Sequence, residues 1–276
     1  MLTPPEPVLT TPLFPEIHAG LIALLKSLSA DDWQRPTVCS GWSVKDVAAH
    51  MLGGEIGNLS RRRDSHVLAA SINSFQELVA YLQEYNESWV LAARRISPPL
   101  LIDLLEVTGV QLNSYFQALD PFAMGAPVSW AGPDPAPVWL DVAREYTERW
   151  HHQQHVREAV GKPGLKEPRY FAPLLAAFIR ALPRTYQEAP AGENTSVTVT
   201  IRGDSGGRWT ILRQGGHWKL YTGAPEAPTA EAILDQDLAW RVWTHGLSRE
   251  TAREKMLFKG NIPLGEKMLG MVSIIA

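Results

Sequence analysis

The chain has 276 residues, 45% of them hydrophobic, with ten tryptophans and a formal charge of −3. That length accommodates one large domain or two ordinary ones. The charge argues against nucleic-acid binding, which calls for a concentrated basic surface, and no apolar run approaches the ~20 residues that span a bilayer. The start, Met-Leu-Thr-Pro-Pro-Glu-Pro, lacks the basic and apolar regions of a signal peptide. The single cysteine, Cys39, rules out an intramolecular disulfide and fits a reducing compartment. The expectation is a soluble cytoplasmic protein acting on a small molecule, without nucleic-acid or membrane partners, as a monomer or homodimer.

Apolar residues at Ile17, Leu21, Leu24, Leu25 and Leu28 predict a helix over 13–28. A loop punctuated by Pro36 and Gly41 follows. Ser43 with Asp46 three residues later has the spacing of a capping box. The helix it opens carries Val44, Val47, Ala48, Met51 and Leu52 on one arc, with His50 at the edge of the arc. Gly53 and Gly54 weaken that helix but leave room beside it. Arg61-Arg62-Arg63 reads as a solvated helix end, with anion binding the lesser reading. Ser74 with Glu77 opens a helix to about Ile96, and Ser97-Pro98-Pro99 restarts one to about Leu119. The proline-rich stretch 120–137 reads as an irregular connection. One long helix then runs from about Ala136 to Val160 and stops at Gly161-Lys162-Pro163-Gly164.

Past that stop the pattern changes. A helix near 172–182 leads to a loop and to three β-rich runs, 195–202, 208–213 and 218–222, separated by glycine turns. Val197, Val199 and Ile201 alternate with threonines, which predicts a half-buried strand in an antiparallel meander. A segment at 230–234, a helix around 237–247, a short strand near 256–260 and a closing helix from Leu264 complete the chain. The fold class is therefore α+β with two domains: a helical bundle over residues 1–164 and a mixed unit with an antiparallel sheet over 165–276.

The long helix contains Glu148-Arg149-Trp150-His151-His152-Gln153-Gln154-His155. Residues four apart share a helix face, so Glu148 and His152 can hold one ion from the same side. His155 lies a turn further along nearly the same face, and His151 sits to the side. A carboxylate and an imidazole make half of a metal site, and His50, on another helix, is the leading third ligand. Trp139, Val142, Ala143, Tyr146 and Trp150 occupy the opposite face. If that stripe were the only buried face, Glu148 and His152 would be an exposed pair with no ligand. Cys39 reads as a structural thiol.

Taken together these stretches resemble the DinB-like metalloenzyme superfamily, and within it the mycothiol-dependent maleylpyruvate isomerase branch. The likeness lies in Trp33, Pro36-Thr37, Cys39 to Trp42 and Val44-x-Asp46-Val47-Ala48-Ala49-His50. It continues in Glu148-x-x-x-His152-x-Gln154-x-Val156-Arg157 and in Asp237 to Gly246 with the closing Leu264-Gly265 helix. The last of these looks like that branch's sterol-carrier-like C-terminal domain. The resemblance implies a four-helix bundle binding a divalent metal, usually zinc, through His50, Glu148 and His152, with a low-molecular-weight thiol such as mycothiol as cosubstrate. The chain departs from the family at His155, where Asp is frequent, so His155 is a possible further ligand or substrate-facing group.

Two imidazoles and a carboxylate suit zinc with an open fourth position, and also iron(II) or nickel(II). A thiol at that position would lose its proton near neutral pH and become a strong nucleophile. Arg241 is the candidate cation for a substrate carboxylate. The function expected is isomerisation or thiol transfer on a small electrophilic substrate. The alternatives are a metal-dependent hydrolase, a lipid or small-molecule carrier, and a metal-binding scaffold without activity.

Overall fold

The computed structural model describes residues 1–68, 72–244 and 246–273. His245, within the stretch expected to be helical around 237–247, lies outside them. The chain forms two compact units. The first comprises Thr10–Asp120 and Glu145–Lys166, and the second Met1–Leu9, Pro121–Arg144 and the described chain from Glu167 on. A single cut after residue 164 does not reproduce this grouping, because the N-terminal residues and the stretch from Pro121 to Arg144 go with the sheet. No helix among the described residues is long and apolar enough to cross a membrane.

The first unit is helical: α1 (Phe14–Lys26), α2 (Val44–Asn58), α3 (Phe75–Ala93), α4 (Pro98–Gln117) and, from Glu145 on, α5 (Val138–Val160). Ser43 caps α2 as the spacing requires: its side chain accepts from Asp46 N–H while the Asp46 carboxylate accepts from Ser43 N–H. Arg94, just past α3, clamps that carboxylate at 3.0 and 3.2 Å. α4 packs against both α1 and α2. α5 is tied to α1 by Gln153 Nε2 donating to Ile17 O at 2.9 Å, and to α2 by Arg149 donating to Glu55 at 2.8 Å. These four helices bury Leu21, Leu25, Val47, Leu52, Leu101, Leu105 and Val156 in one apolar cluster.

α3 lies outside that foursome, against α2. The room at Gly53 belongs to it: a Cβ there would come within 2.5 Å of the Trp89 indole, whose Nε1 donates to Ala49 O at 2.7 Å. Gly53 therefore admits a helix neighbour rather than leaving space beside a site, and only Gly54 has open space around it. The arginine run forms a π-helical extension of α2 over Leu59–Arg63. Arg62 there reaches Glu145 at 3.4 Å, and Arg63 pairs with Asp64 and Gln111.

In the second unit the stretch expected to be irregular contains a two-stranded ladder, β1 (Met124–Pro127) with β2 (Pro135–Pro137). Helices α6 (Pro168–Phe178) and α7 (Leu182–Thr185) precede the main sheet. Its strands β3 (Ser196–Arg202), β4 (Gly207–Gln214), β5 (His217–Thr222), β6 (Ala230–Asp235) and β7 (Leu257–Gly260) lie in the order β5-β4-β3-β6-β7. Every pairing is antiparallel except β3 with β6, which makes the sheet mixed.

β3 is central rather than half-buried, and Ser196 to Val199 are buried on both faces. The Thr198 hydroxyl is satisfied there by Thr210 at 2.9 Å, so a polar residue is tolerated inside. Helices α8 (Gln236–Trp243), α9 (Arg249–Glu254) and α10 (Ile262–Glu266) complete the unit. α9 was not expected from the periodicity, although Ser248 caps it.

Candidate metal centre

From Glu145 to Val156 every residue of α5 is buried except Glu148, which is partly exposed. A helix enclosed on all sides is normally apolar all round; this one encloses Arg-Trp-His-His-Gln-Gln-His. Each buried polar group costs free energy unless it finds a partner. Arg149 has Glu55, Trp150 Nε1 donates to Leu165 O at 2.7 Å, and Gln154 Nε2 donates to Gly164 O at 3.0 Å. The Nδ1 of His151 lies 2.9 Å from Thr147 O, one turn back, and is occupied there rather than turned to a ligand. His152 is the exception: its Nδ1 is buried with no hydrogen-bond partner.

His152 is also where three helix positions meet. One donor atom each from His50, Glu148 and His152 lie within 4.8 Å of one another. His152 Nε2 stands 3.4 Å from a Glu148 oxygen. Two ligands bound tetrahedrally at zinc distances are about 3.3–3.4 Å apart, so this pair has the separation of neighbouring ligands. The His50 ring packs edge-on to that of His152, 4.6 Å between centroids, and its other neighbour is the Trp42 indole at 5.1 Å.

The charge state suits a cation. Burial holds the imidazoles of His50, His151 and His152 below the usual histidine value, with Glu148 partly offsetting it at His50. At neutral pH they are therefore uncharged lone-pair donors. Among the described residues no lysine or arginine pairs with Glu148, which stands beside His152. The donor set fits a divalent ion of the zinc, iron(II) or nickel(II) kind.

A residue read as structural stands beside this set. The Cys39 Sγ lies 3.2 Å from His155 Nδ1, and Cys39, His152 and His155 form a second group whose donor atoms lie within 4.8 Å of one another. Cys39 is presented by a tight hairpin in which Pro36 bridges to Ser43 and Trp42 N–H donates to Cys39 O. Gly41, at the third position of that turn, has φ +77°, which a type II turn requires and glycine adopts without strain. The legible signal was the Cys-Ser-Gly-Trp turn just ahead of the His50 helix. Burial pushes the thiol pKa up; the Thr37 hydroxyl works against this and the Glu148 charge adds to it. A groove of about 550 Å³ lined by Pro36, Trp42, Lys45 and Arg94 contains none of these donors.

Arg241 belongs to α8 of the sheet unit, where its guanidinium donates to Asp237 O at 2.7 Å, approaches the Asp237 carboxylate at 3.6 Å and covers the Trp240 ring.

A helical unit that turns two imidazoles and a carboxylate inward, joined in one chain to an α+β unit, is the build of the DinB-like proteins of the maleylpyruvate isomerase kind. The family described as "Mycothiol maleylpyruvate isomerase N-terminal domain" matches residues 14–157, just over half of the chain. The chain belongs to that family. Two crystal structures share the fold. A histidine-to-alanine mutant of the mycothiol-dependent maleylpyruvate isomerase aligns with a TM-score of 0.54 at 12% identity, covering 90% of this chain and 91% of that one. A second structure of the mycothiol-dependent maleylpyruvate isomerase aligns at 0.51 and 13% identity, covering 84% and 86%. No curated protein matches the chain in sequence.

Proposed function

We propose that the chain is a divalent-metal-dependent enzyme that uses a low-molecular-weight thiol, of the mycothiol class, in isomerisation or thiol transfer on a small electrophilic carboxylate. The observation that carries this reading is that one donor atom each of His50, Glu148 and His152 lie within 4.8 Å of one another. A lipid or small-molecule carrier has no need of such a set. Zinc is the expected ion. The sterol-carrier-like likeness of the second unit, read from Asp237 to Gly246, belongs to the same proposal.

The chain's own contribution is to hold and to exclude. His50 and His152 offer nitrogens kept unprotonated by burial. Glu148 supplies the negative charge that balances a cation, and the Trp42 ring limits the motion of His50. When bound, a divalent ion supplies Lewis acidity, lowering the pKa of a thiol or water beside it.

The test begins with metal analysis of protein purified without an affinity tag. Cobalt-loaded protein titrated with a small thiol should then develop a sulfur-to-cobalt charge-transfer band that grows with added thiol and is lost in His152→Ala. A cobalt spectrum indifferent to every thiol would favour hydrolysis at the same ion. Folded protein that takes up no metal would leave the carrier reading in place.

A further inference from the structure

We propose that the chain has a second, sulfur-containing metal position formed by Cys39, His152 and His155, which takes a thiophilic ion and competes with the first position for His152. Three observations carry it. The three donor atoms lie within 4.8 Å of one another. Cys39 Sγ and His155 Nδ1 are already 3.2 Å apart, close to the ~3.5 Å that separates a sulfur and a nitrogen bound tetrahedrally to zinc. The shared residue, His152, is more than nine-tenths buried and its Nδ1 lacks a partner.

The two positions differ in softness rather than in size. His50, Glu148 and His152 offer two nitrogens and an oxygen, a set that accepts hard and borderline ions. Cys39, His152 and His155 offer a sulfur and two nitrogens, which selects zinc, cadmium or copper(I) over manganese or magnesium. Binding replaces the S–H bond of Cys39 by a sulfur–metal bond, and the proton leaves to solvent. Nothing is oxidised or reduced. Because both sets need His152, an ion in one position depletes the other, so the identity of the ion decides whether Glu148 or Cys39 is engaged.

The test uses the full chain, stripped of metal and given one equivalent of cobalt(II) with no thiol added. The expected spectrum contains a sulfur-to-cobalt band that can come only from Cys39, the one cysteine of the chain. Cys39→Ser should lose that band and keep the weaker visible absorption of cobalt at the first position. His155→Asn should lose it too, and Glu148→Gln should retain it. Cadmium affinity in Cys39→Ser should fall by roughly tenfold or more, about 1.4 kcal/mol, with manganese affinity unchanged.

A wild-type spectrum without a sulfur band overturns the proposal whether or not the variants fold, as does cadmium affinity unaltered in a folded Cys39→Ser. A band lost in Glu148→Gln as well would mean that Cys39 merely joins the first position, and overturns the separate one. Failure of the thiol-cosubstrate reading is recognisable apart from this: the cysteine band would be present and added thiol would not change it.

Discussion

Neighbouring residues of α5 serve opposite ends. Arg149 turns to Glu55 and Glu148 turns to His152 and His50, so one helix turn feeds two polar clusters. The Glu55 cluster is matched in charge. Its carboxylate accepts from Arg149 at 2.8 Å and from the Thr108 hydroxyl, and the Arg149 guanidinium also lies over the Phe14 ring. The Glu148 cluster is unmatched, with one carboxylate beside uncharged imidazoles and no lysine or arginine paired with it among the described residues. A buried polar group that closes on itself holds a fold together, whereas one that remains a cation short marks a place for a ligand. The motif Glu148-Arg149 contains both, and charge matching, not burial, tells them apart.

The largest expected effect breaks the matched side. Arg149→Met leaves the Glu55 carboxylate buried and unpaired, which should cost about 3–5 kcal/mol in denaturant unfolding. Glu148→Gln in metal-free protein should shift stability by only about 0.5 kcal/mol or less, because no charge pair is lost. Equal losses in the two variants would show that the clusters do not differ as described.

The next effect comes from filling the unmatched side. A divalent ion at a hundred times its Kd should stabilise the wild type by about 2.7 kcal/mol. With manganese(II), which the sulfur-containing position disfavours, the gain should vanish with chelator and be absent in Glu148→Gln and His50→Ala. A thermal shift that persists in those variants would place the ion elsewhere.

A further effect is pH-dependent and belongs to the matched side. His18 faces Glu55 and Arg149, with Glu106 also felt; its pKa is lowered to about 4, first by burial and then by Arg149. The unfolded chain binds this proton near pH 6.5 and the folded chain near 4. The contribution of His18 to stability is therefore complete above about 6.5 and is lost as pH falls from there toward 4. His18→Gln should flatten that part of the stability profile in metal-free protein. An unchanged slope would show that His18 is not the group responsible. The smallest effect is a control on α2, which carries both Glu55 and His50. Gly54→Ala, with open space around it, should add about 0.5–1 kcal/mol and leave metal affinity unchanged.

What could be read from the residues alone was whatever depends on neighbours in the chain. The Ser43–Asp46 cap, the periodic helices and the strands around Val197 are local signals, and the Glu148/His152 spacing is local too. What escaped depends on distant partners. Gly53 makes sense only once Trp89, from another helix, is seen against it. Cys39 looked inert because His155 is remote from it in sequence. Thr198 looked solvent-facing because the parallel neighbour β6, which makes β3 central, is joined to it through a long connection. β1 and β2 were hidden by their prolines, which sit at the ends of the ladder. α9 had a local signal in Ser248 and Thr251, but at six residues it is too short to show a period.

The pairing of Thr3 with Thr222 also bears on an exposed margin of the sheet. Thr3 exchanges both backbone hydrogen bonds with Thr222 at the end of β5, at 3.1 and 2.8 Å. β5 is an outer strand of the five, so this short run of chain occupies part of an edge that could otherwise recruit a strand from another molecule. The opposite margin, β7, is only Leu257–Gly260 and carries Lys259, which discourages such recruitment by charge and brevity. Trimming the first residues would thus uncover backbone groups at the β5 margin, far along the sequence from where the change is made.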